Sequence, residues 1–405
     1  MQSIMRSDKL KEVHSDIRGP VFVEAMKMRA DGIDVLRLNT GNPATFGFKM
    51  PDSVREALLN NVDKAVAYCD LKGMPEAREA ICEYHKGRGV PGISPDDCFV
   101  GNGVSELVTM SLTALLNYGD EILVPAPDYS LWTNSVWIAG AKPVHYICDE
   151  QANWYPDIED IRKKITPKTK AIVIINPNNP TGALYPRELL QKLVEIAREH
   201  SLVIFSDEIY DRLVIDDLEH TPTASLAPDL LVVTMNGLSK SHIICGFRCG
   251  WMVISGAKEK AADFIAGIVQ LSAMRLCANA LTQLVIPAAL ADSDSTKEML
   301  VPGGRLYEQR EATCGELDKI PGISFVKNSA AFYIFPKLDI KKFNITDDQQ
   351  FAMDFLHSKH VMIIPGRGFS WDKPDHFRIV MLPQPDILSK AMRDLGDFLA
   401  TYKQK

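Results

Sequence analysis

Polar and glycine residues cluster at the ends of several apolar runs in this 405-residue sequence, in GNGVSE, PAPDYSLW, NPNNPTG, SDEIY and NGLSK. The last of these closes on Lys240, a primary amine able to add to a carbonyl. SDEIY carries the carboxylates Asp207 and Glu208. Arg248 in GFRCGW and Arg378 in HFRIVML carry the planar fork that matches a carboxylate or a phosphate. Gly103, Val104 and Ser105 precede a helical stretch, and backbone amides at a helix N-terminus bind anions. Each cluster alone also has an ordinary reading. NPNNPTG is common turn chemistry, Asp207 and Glu208 could cap a helix or hold a metal, Lys240 could be solvated, and Arg378 could be a plain strand arginine.

Such residues need elements to bring them together. From about residue 98 to 255, short apolar runs (Phe99-Val100, 121–126, 171–176, 202–208, 230–237 and 250–256) alternate with stretches of helical period. That alternation predicts an α/β fold with a mainly parallel sheet, whose strands bind ligands at their carboxyl ends. PRELLQKLVEIAREH (186–200) reads as an amphipathic helix started by Pro186. After about residue 290 the texture changes to a polar helix and shorter elements, a second, smaller α+β unit. The expected division is a large domain of residues 45–290, with 1–44 and 291–405 forming an N-terminal segment and a small C-terminal domain. No glycine- or serine-rich linker separates the two, so they should pack closely.

Composition narrows the field. A chain with 46% hydrophobic residues and a net charge of -7 can bury a large core and shows no basic stripe for nucleic acid. No apolar run approaches a membrane span, and the start lacks the apolar core of a signal peptide, so a cytoplasmic protein is expected. The eight cysteines are scattered without metal-ligand spacing and read as reduced thiols, with no metal site.

The order and spacing of the clusters resemble the fold-type I pyridoxal-phosphate enzymes, and within them the class I and II aminotransferases. Asn179 in NPTG, Asp207 and Tyr210 in DEIY, Lys240 in SK and Arg248 eight residues beyond the lysine carry the resemblance. It implies that the cofactor is pyridoxal 5'-phosphate and that Lys240 is both its covalent holder and the base at the substrate's α-carbon. It further implies that Asp207 pairs with the pyridine nitrogen, Asn179 and Tyr210 meet the ring's phenolate oxygen, and Tyr129 stacks on the ring. Gly103, Val104, Ser105, Ser239 and Arg248 would hold the phosphate, with Tyr68 reaching it from the partner of a homodimer. Arg378, Gly41 and Asn179 would bind the amino acid's α-carboxylate.

DIRGPV, LNTGNPATFGF, YCDLKG, PAPDYSLWT, MRLCAN and GGRLYEQR are similar to bacterial alanine aminotransferases, which interconvert alanine and 2-oxoglutarate with pyruvate and glutamate. Arg18, in DIRGP, would be a mobile partner for glutamate's distal carboxylate, with Arg275 in MRLCAN as the competing candidate. An aspartate or aromatic aminotransferase, or a carbon-sulfur β-lyase, would share the same scaffold residues. A DNA-binding regulator with an aminotransferase-like domain is disfavoured, because the chain begins directly with the enzyme-like segment. Three departures stand out: Gly237 replaces the serine many relatives carry three residues before the lysine, Ala330 replaces a glycine, and SHIIC follows Ser239-Lys240 with His242 as a loop residue.

Overall fold

The computed structural model describes residues 3–292 and 295–405. Its centre is an eight-stranded sheet. The strands are β1 (Cys98–Asn102), β2 (Glu121–Ala126), β3 (Lys142–Asp149), β4 (Tyr155–Pro156), β5 (Thr169–Ile175), β6 (Val203–Asp207), β7 (Val232–Gly237) and β8 (Cys249–Ser255). They lie in the order β1-β8-β7-β6-β5-β2-β3-β4. The row from β7 to β3 is parallel throughout, while β8 runs antiparallel to β1 and β7, and β4 antiparallel to β3. The sheet is therefore α/β and mainly parallel, as the alternation predicts. β7 and β8 are buried along their whole length, which is why their sequences read as continuous apolar runs rather than alternating ones.

The helices that matter for the site are α1 (Pro75–Gly87), α2 (Val104–Leu115), α3 (Leu131–Ile138), α4 (Arg187–Glu199), α5 (Leu238–Ser241), α6 (Ala262–Arg275) and α7 (Ile286–Ala291). α4 buries Leu190, Leu193, Val194, Ile196 and Ala197, and each large side chain among them contributes about 2 kcal/mol on burial. Pro186 ends up just outside its first turn, with φ of -69°.

The chain ends meet away from this sheet. Leu36–Arg37 pairs in parallel with Val361–Met362, and Phe377–Val380 lies antiparallel between Tyr333–Ile334 and Ile364–Pro365. One hydrophobic cluster runs from Val21 through Val100 and Ile174 to Leu399, so these elements and the large sheet share a core.

Burial also sets the acid sensitivity of the fold. His85, His220 and His242 are buried, and desolvation pulls each down from 6.5 to about 4. Across that window the unfolded chain takes up protons that the folded chain refuses, so stability falls as the pH drops. Glu208, pushed by burial from 4.5 up to about 7, acts in the opposite sense, as do Asp128, Asp207 and Asp348, whose carboxyls burial also raises, while His145 is lowered like the other three imidazoles. The four imidazoles ordinarily titrate inside the window between pH 5 and pH 7 and the aspartates ordinarily below it, so the melting temperature is expected to be lower near pH 5 than near pH 7; an equal or higher value at the acid end would mean that the buried carboxyls outweigh the imidazoles.

Candidate active site

Five of the sheet's chain segments deliver side chains to one edge. β5 ends at Ile175 and β6 at Asp207, β7 runs into α5 with Lys240, β1 runs into α2 with Val104 and Ser105, and Arg248 immediately precedes β8. Because β8 is antiparallel to its neighbours, its beginning lies at the same edge as the others' ends. A cleft of about 170 Å³ opens there, lined by Gly41, Val104, Ser105, Tyr129, Asn179, Asp207, Tyr210, Ser239, Lys240, Arg248 and Arg378 among others.

Lys240 Nζ donates to the Gly41 carbonyl at 2.9 Å. Gly41 has to be a glycine, because a Cβ there would collide with the Tyr333 hydroxyl and the Phe332 ring. Asp207 is buried, and its carboxyl is pushed above the usual range by loss of water, an effect opposed by a hydrogen bond from Trp132. Trp132 Nε1 donates to Asp207 Oδ2 at 2.9 Å and the Ile209 amide donates to Oδ1 at 3.4 Å. The indole comes from the first turn of α3, three residues after Tyr129, so one short segment supplies both a ring at the cleft wall and the donor that orients Asp207.

At one end of the cleft, α2 begins at Val104 without a side-chain cap, leaving first-turn amides to an outside acceptor. Gly103 has φ of +85°, and a Cβ there would strike the Arg248 guanidinium. That close approach requires glycine and puts a cation over the helix N-terminus. Arg248 adopts a left-handed φ of 57° and donates to the Cys245 carbonyl at 3.0 Å.

At the other end Arg378 is 2% exposed, and desolvation lowers the pKa of its guanidinium. Nη1 donates to Asn179 Oδ1 at 2.9 Å, and Nη2 donates to the Asn39 carbonyl. The Tyr333 and Phe369 rings lie 4.5 and 4.6 Å from its centre. Nε is buried without a hydrogen-bond partner, which is costly for a charged group. The Tyr210 hydroxyl lies 2.8 Å from that of Tyr333.

Three residues singled out by sequence stand apart. Tyr68 is 81% exposed and does not line the cleft. Arg18 is exposed too, although its neighbour Ile17 is a lining residue. Arg275 is committed elsewhere, ion-paired to Glu106 at 2.6 Å and donating to the Leu71 and Val100 carbonyls. The departures have physical reasons. A Cβ at Gly237 would lie 2.6 Å from the Cys249 carbonyl oxygen and 2.9 Å from Gly250 Cα, so here β8 packs too closely for a serine. Ala330 is fully buried and bridges Val214, and the positive φ falls on Ala331. The sequence assigns no role to Trp132 or Tyr333, and it marks Cys245 only as part of the SHIIC departure after Lys240. Cys245 lines the cleft and its thiol donates to Asn42 Oδ1 at 3.2 Å.

These residues suit a flat, anionic, carbonyl-bearing cofactor. A helix N-terminus with an arginine fits a phosphate, a buried carboxylate with one fixed oxygen fits a protonated ring nitrogen, an aromatic ring offers a stacking face, and an amine lies in the same cleft. The unpartnered Arg378 Nε fits a carboxylate from a second molecule.

Comparison with known proteins agrees. The family described as aminotransferase class I and II matches residues 33–393. The glutamate-pyruvate aminotransferases AlaA of Haemophilus influenzae and Escherichia coli are 52% and 51% identical to this chain, each over 100% of both chains. Among solved structures, an aminotransferase from Escherichia coli superposes with a TM-score of 0.99 over 100% of both chains at 51% identity. An alanine aminotransferase from Pyrococcus furiosus gives 0.93 at 40% identity, covering 98% of this chain and 100% of that one. The chain belongs to the class I and II aminotransferases, enzymes that work with pyridoxal 5'-phosphate.

Proposed function

We propose that this aminotransferase exchanges the amino group of alanine with 2-oxoglutarate, giving pyruvate and glutamate, as a cytoplasmic homodimer. The observation that carries the reading is the pairing, in one cleft, of the Lys240 amine with a buried arginine that has an unused donor. Full-length identity of about half to the glutamate-pyruvate aminotransferases supports the choice of substrates. When bound, the cofactor supplies an aldehyde that takes up the amine and a ring that accepts the electrons released at the α-carbon.

The protein's own part is binding, orientation and proton movement. Arg378, with the Gly41 backbone and Asn179, grips the α-carboxylate and so fixes which bond at the α-carbon points at the cofactor. Lys240 holds the cofactor and then carries the α-proton away from that carbon. Asp207, oriented by the hydrogen bond from Trp132 Nε1, would pair with the ring nitrogen, and Tyr210 and Asn179 would steady the ring's oxygen. Gly103, Val104, Ser105, Ser239 and Arg248 hold the phosphate, and Tyr129 stacks on the ring. In the homodimer Tyr68 completes the partner's phosphate site, a role supported by the exposed apolar set of Val66, Tyr68, Met274 and Leu276. We divide the chain into a large domain, residues 45–290, and a small one formed by 1–44 and 291–405, a division supported by the pairing of Leu36–Arg37 with Val361–Met362.

The test is to load the purified protein with cofactor, add single L-amino acids without an oxo acid, and follow the cofactor's visible absorbance. Alanine and glutamate are each expected to discharge the band, and pyruvate or 2-oxoglutarate to restore it. A response to aspartate or aromatic amino acids alone would move the substrate, and pyruvate with ammonia released without an acceptor would mean a carbon-sulfur lyase. In the same assay Arg18→Ala is expected to lower kcat/KM for glutamate about two- to fivefold relative to alanine, the scale of an accessible ion pair. Equal losses for both would remove Arg18 from the reading.

A further inference from the structure

The histidine two residues beyond Lys240 takes no part in lining the cleft, yet it is fully buried. α5, the helix that carries Lys240, has only four residues, too few to hold a conformation by its own hydrogen bonds. What fixes it lies at its ends. Upstream, Asn236 Nδ2 donates to Asp211 Oδ2 at 2.8 Å, and Asn236 Oδ1 accepts from the Gly237 amide at 2.7 Å. Downstream, His242 Nε2 lies 2.7 Å from the Ala289 carbonyl of α7, and Nδ1 lies 2.8 Å from the Ser241 hydroxyl. A carbonyl only accepts, so Nε2 carries the proton and Nδ1 receives the serine's.

Arg212 braces α7 beside this contact. Its Nη1 stands 3.3 Å from His242 Nε2 but, both being donors, makes no hydrogen bond to the ring; the guanidinium instead donates to the carbonyls of Asp292 at 2.8 Å and Leu290 at 3.2 Å, next to Ala289. The same guanidinium lies over the Tyr84 ring, 5.0 Å from its centre, and the Tyr84 hydroxyl donates to Asp211 Oδ2 at 2.6 Å. Asp211 and Arg212 directly follow Tyr210 in the turn that begins at Asp207. Two successive residues of that turn therefore reach the two ends of the lysine's turn. Burial, with Arg212 alongside, lowers the His242 pKa to about 4, so the ring stays neutral and keeps both hydrogen bonds at neutral pH.

We propose that His242 is a positioning residue for Lys240, acting with Asn236 as the second jaw of a clamp that Asp211 and Arg212 hold closed. The clamp rests on the reading of Lys240 as the cofactor-bearing amine. It accounts for the buried, doubly bonded histidine in a loop otherwise without regular support.

The experiment compares the unsubstituted protein with His242→Phe, His242→Gln and His242→Asn. In the apoprotein, the rate at which pyridoxal phosphate recombines with the chain is measured against pH, and the site of attachment is fixed by borohydride reduction and peptide mass. Steady-state kcat and KM follow on the reloaded proteins. His242→Phe is expected to slow recombination roughly tenfold, displace its pH profile and lower kcat about tenfold with little change in KM, less than the loss a full 1 Å displacement can bring. Glutamine, whose Nε2 can still donate to the Ala289 carbonyl, should restore most of both rates, and asparagine, which is too short to do so, should not. If the phenylalanine variant fails to fold, the glutamine and asparagine pair decides alone. Unchanged recombination and kcat in His242→Phe, or equal impairment of glutamine and asparagine, would overturn the clamp. Reduction that labels a lysine other than Lys240 in the unsubstituted protein would instead remove the reading beneath it.

Discussion

Replacing Lys240 by alanine is expected to lower aminotransferase turnover by about 10²- to 10⁴-fold, the scale of a lost general base, while leaving the fold intact. Both halves follow from where the amine sits. Nζ donates to the Gly41 carbonyl at 2.9 Å, a link between segments 199 residues apart in sequence but worth only about 1 kcal/mol. The stem is half-buried in a cleft that can admit water, so truncation leaves no sealed cavity. The melting temperature of the apoprotein should therefore stay within a few degrees of the parent. Chemically nothing nearby replaces the amine. Arg248 and Arg378 also line the cleft, but a guanidinium remains protonated and can neither bond to an aldehyde nor accept a proton. Lys240→Arg should be as inactive as the alanine variant for that reason. Turnover within tenfold of the parent, or cofactor still trapped by borohydride in Lys240→Ala, would move the covalent role to another amine.

Much of this arrangement can be read in the sequence because the large sheet writes itself in apolar runs. β2, β5, β6, β7 and β8 each end within about two residues of the predicted run. β3 was missed for a physical reason. KPVHYICD mixes charged and apolar residues because the strand lies toward the sheet's edge, flanked on one side only by the two-residue β4, and its burial alternates irregularly. The elements around Arg378 are harder still. Tyr333–Ile334 and Ile364–Pro365 are two residues long, shorter than any period can register, so nothing in the segment NSAAFY, residues 328–333, announces that Tyr333 stacks on Arg378. Trp132 was hidden differently. It stands at the expected place in PAPDYSLW, but a tryptophan on an apolar helix face reads as core, and only the folded contact of its ring with Phe205 of β6 brings its N–H to Asp207. His242 illustrates the same limit, since a loop histidine becomes a buried support only when Ala289 of α7, 47 residues later, supplies the carbonyl.

Arg378→Leu is expected to cut kcat/KM for every amino-acid substrate by roughly 10³-fold and at the same time to leave the apoprotein equally stable or more so. Loss of a buried, hydrogen-bonded charge partner costs a ligand about 2–5 kcal/mol, and here the partner is the substrate's α-carboxylate. The stability half comes from what the arginine lacks. Its guanidinium is stripped of water, flanked by the Tyr333 and Phe369 rings, tied to two neutral acceptors, and left with an unpartnered Nε. No carboxylate faces it within the chain among the described hydrogen bonds and ion pairs, so its desolvation is not offset until substrate arrives. A leucine removes that cost and fills much of the same slot. Lysine is the informative intermediate: it keeps the charge but not the fork, so Arg378→Lys should retain turnover with KM raised by about 10²-fold, whereas leucine loses both. Kinetics with alanine and glutamate, paired with thermal denaturation of the same preparations, separate the two effects. An Arg378→Leu protein that melts well below the parent would show that the arginine supports the fold, and one whose KM for both substrates is unchanged would show that the α-carboxylate is gripped elsewhere. A gain in stability joined to a loss of substrate binding is the signature of a cation kept in an unfavourable place for its ligand, and it would explain why so buried a position holds an arginine at all.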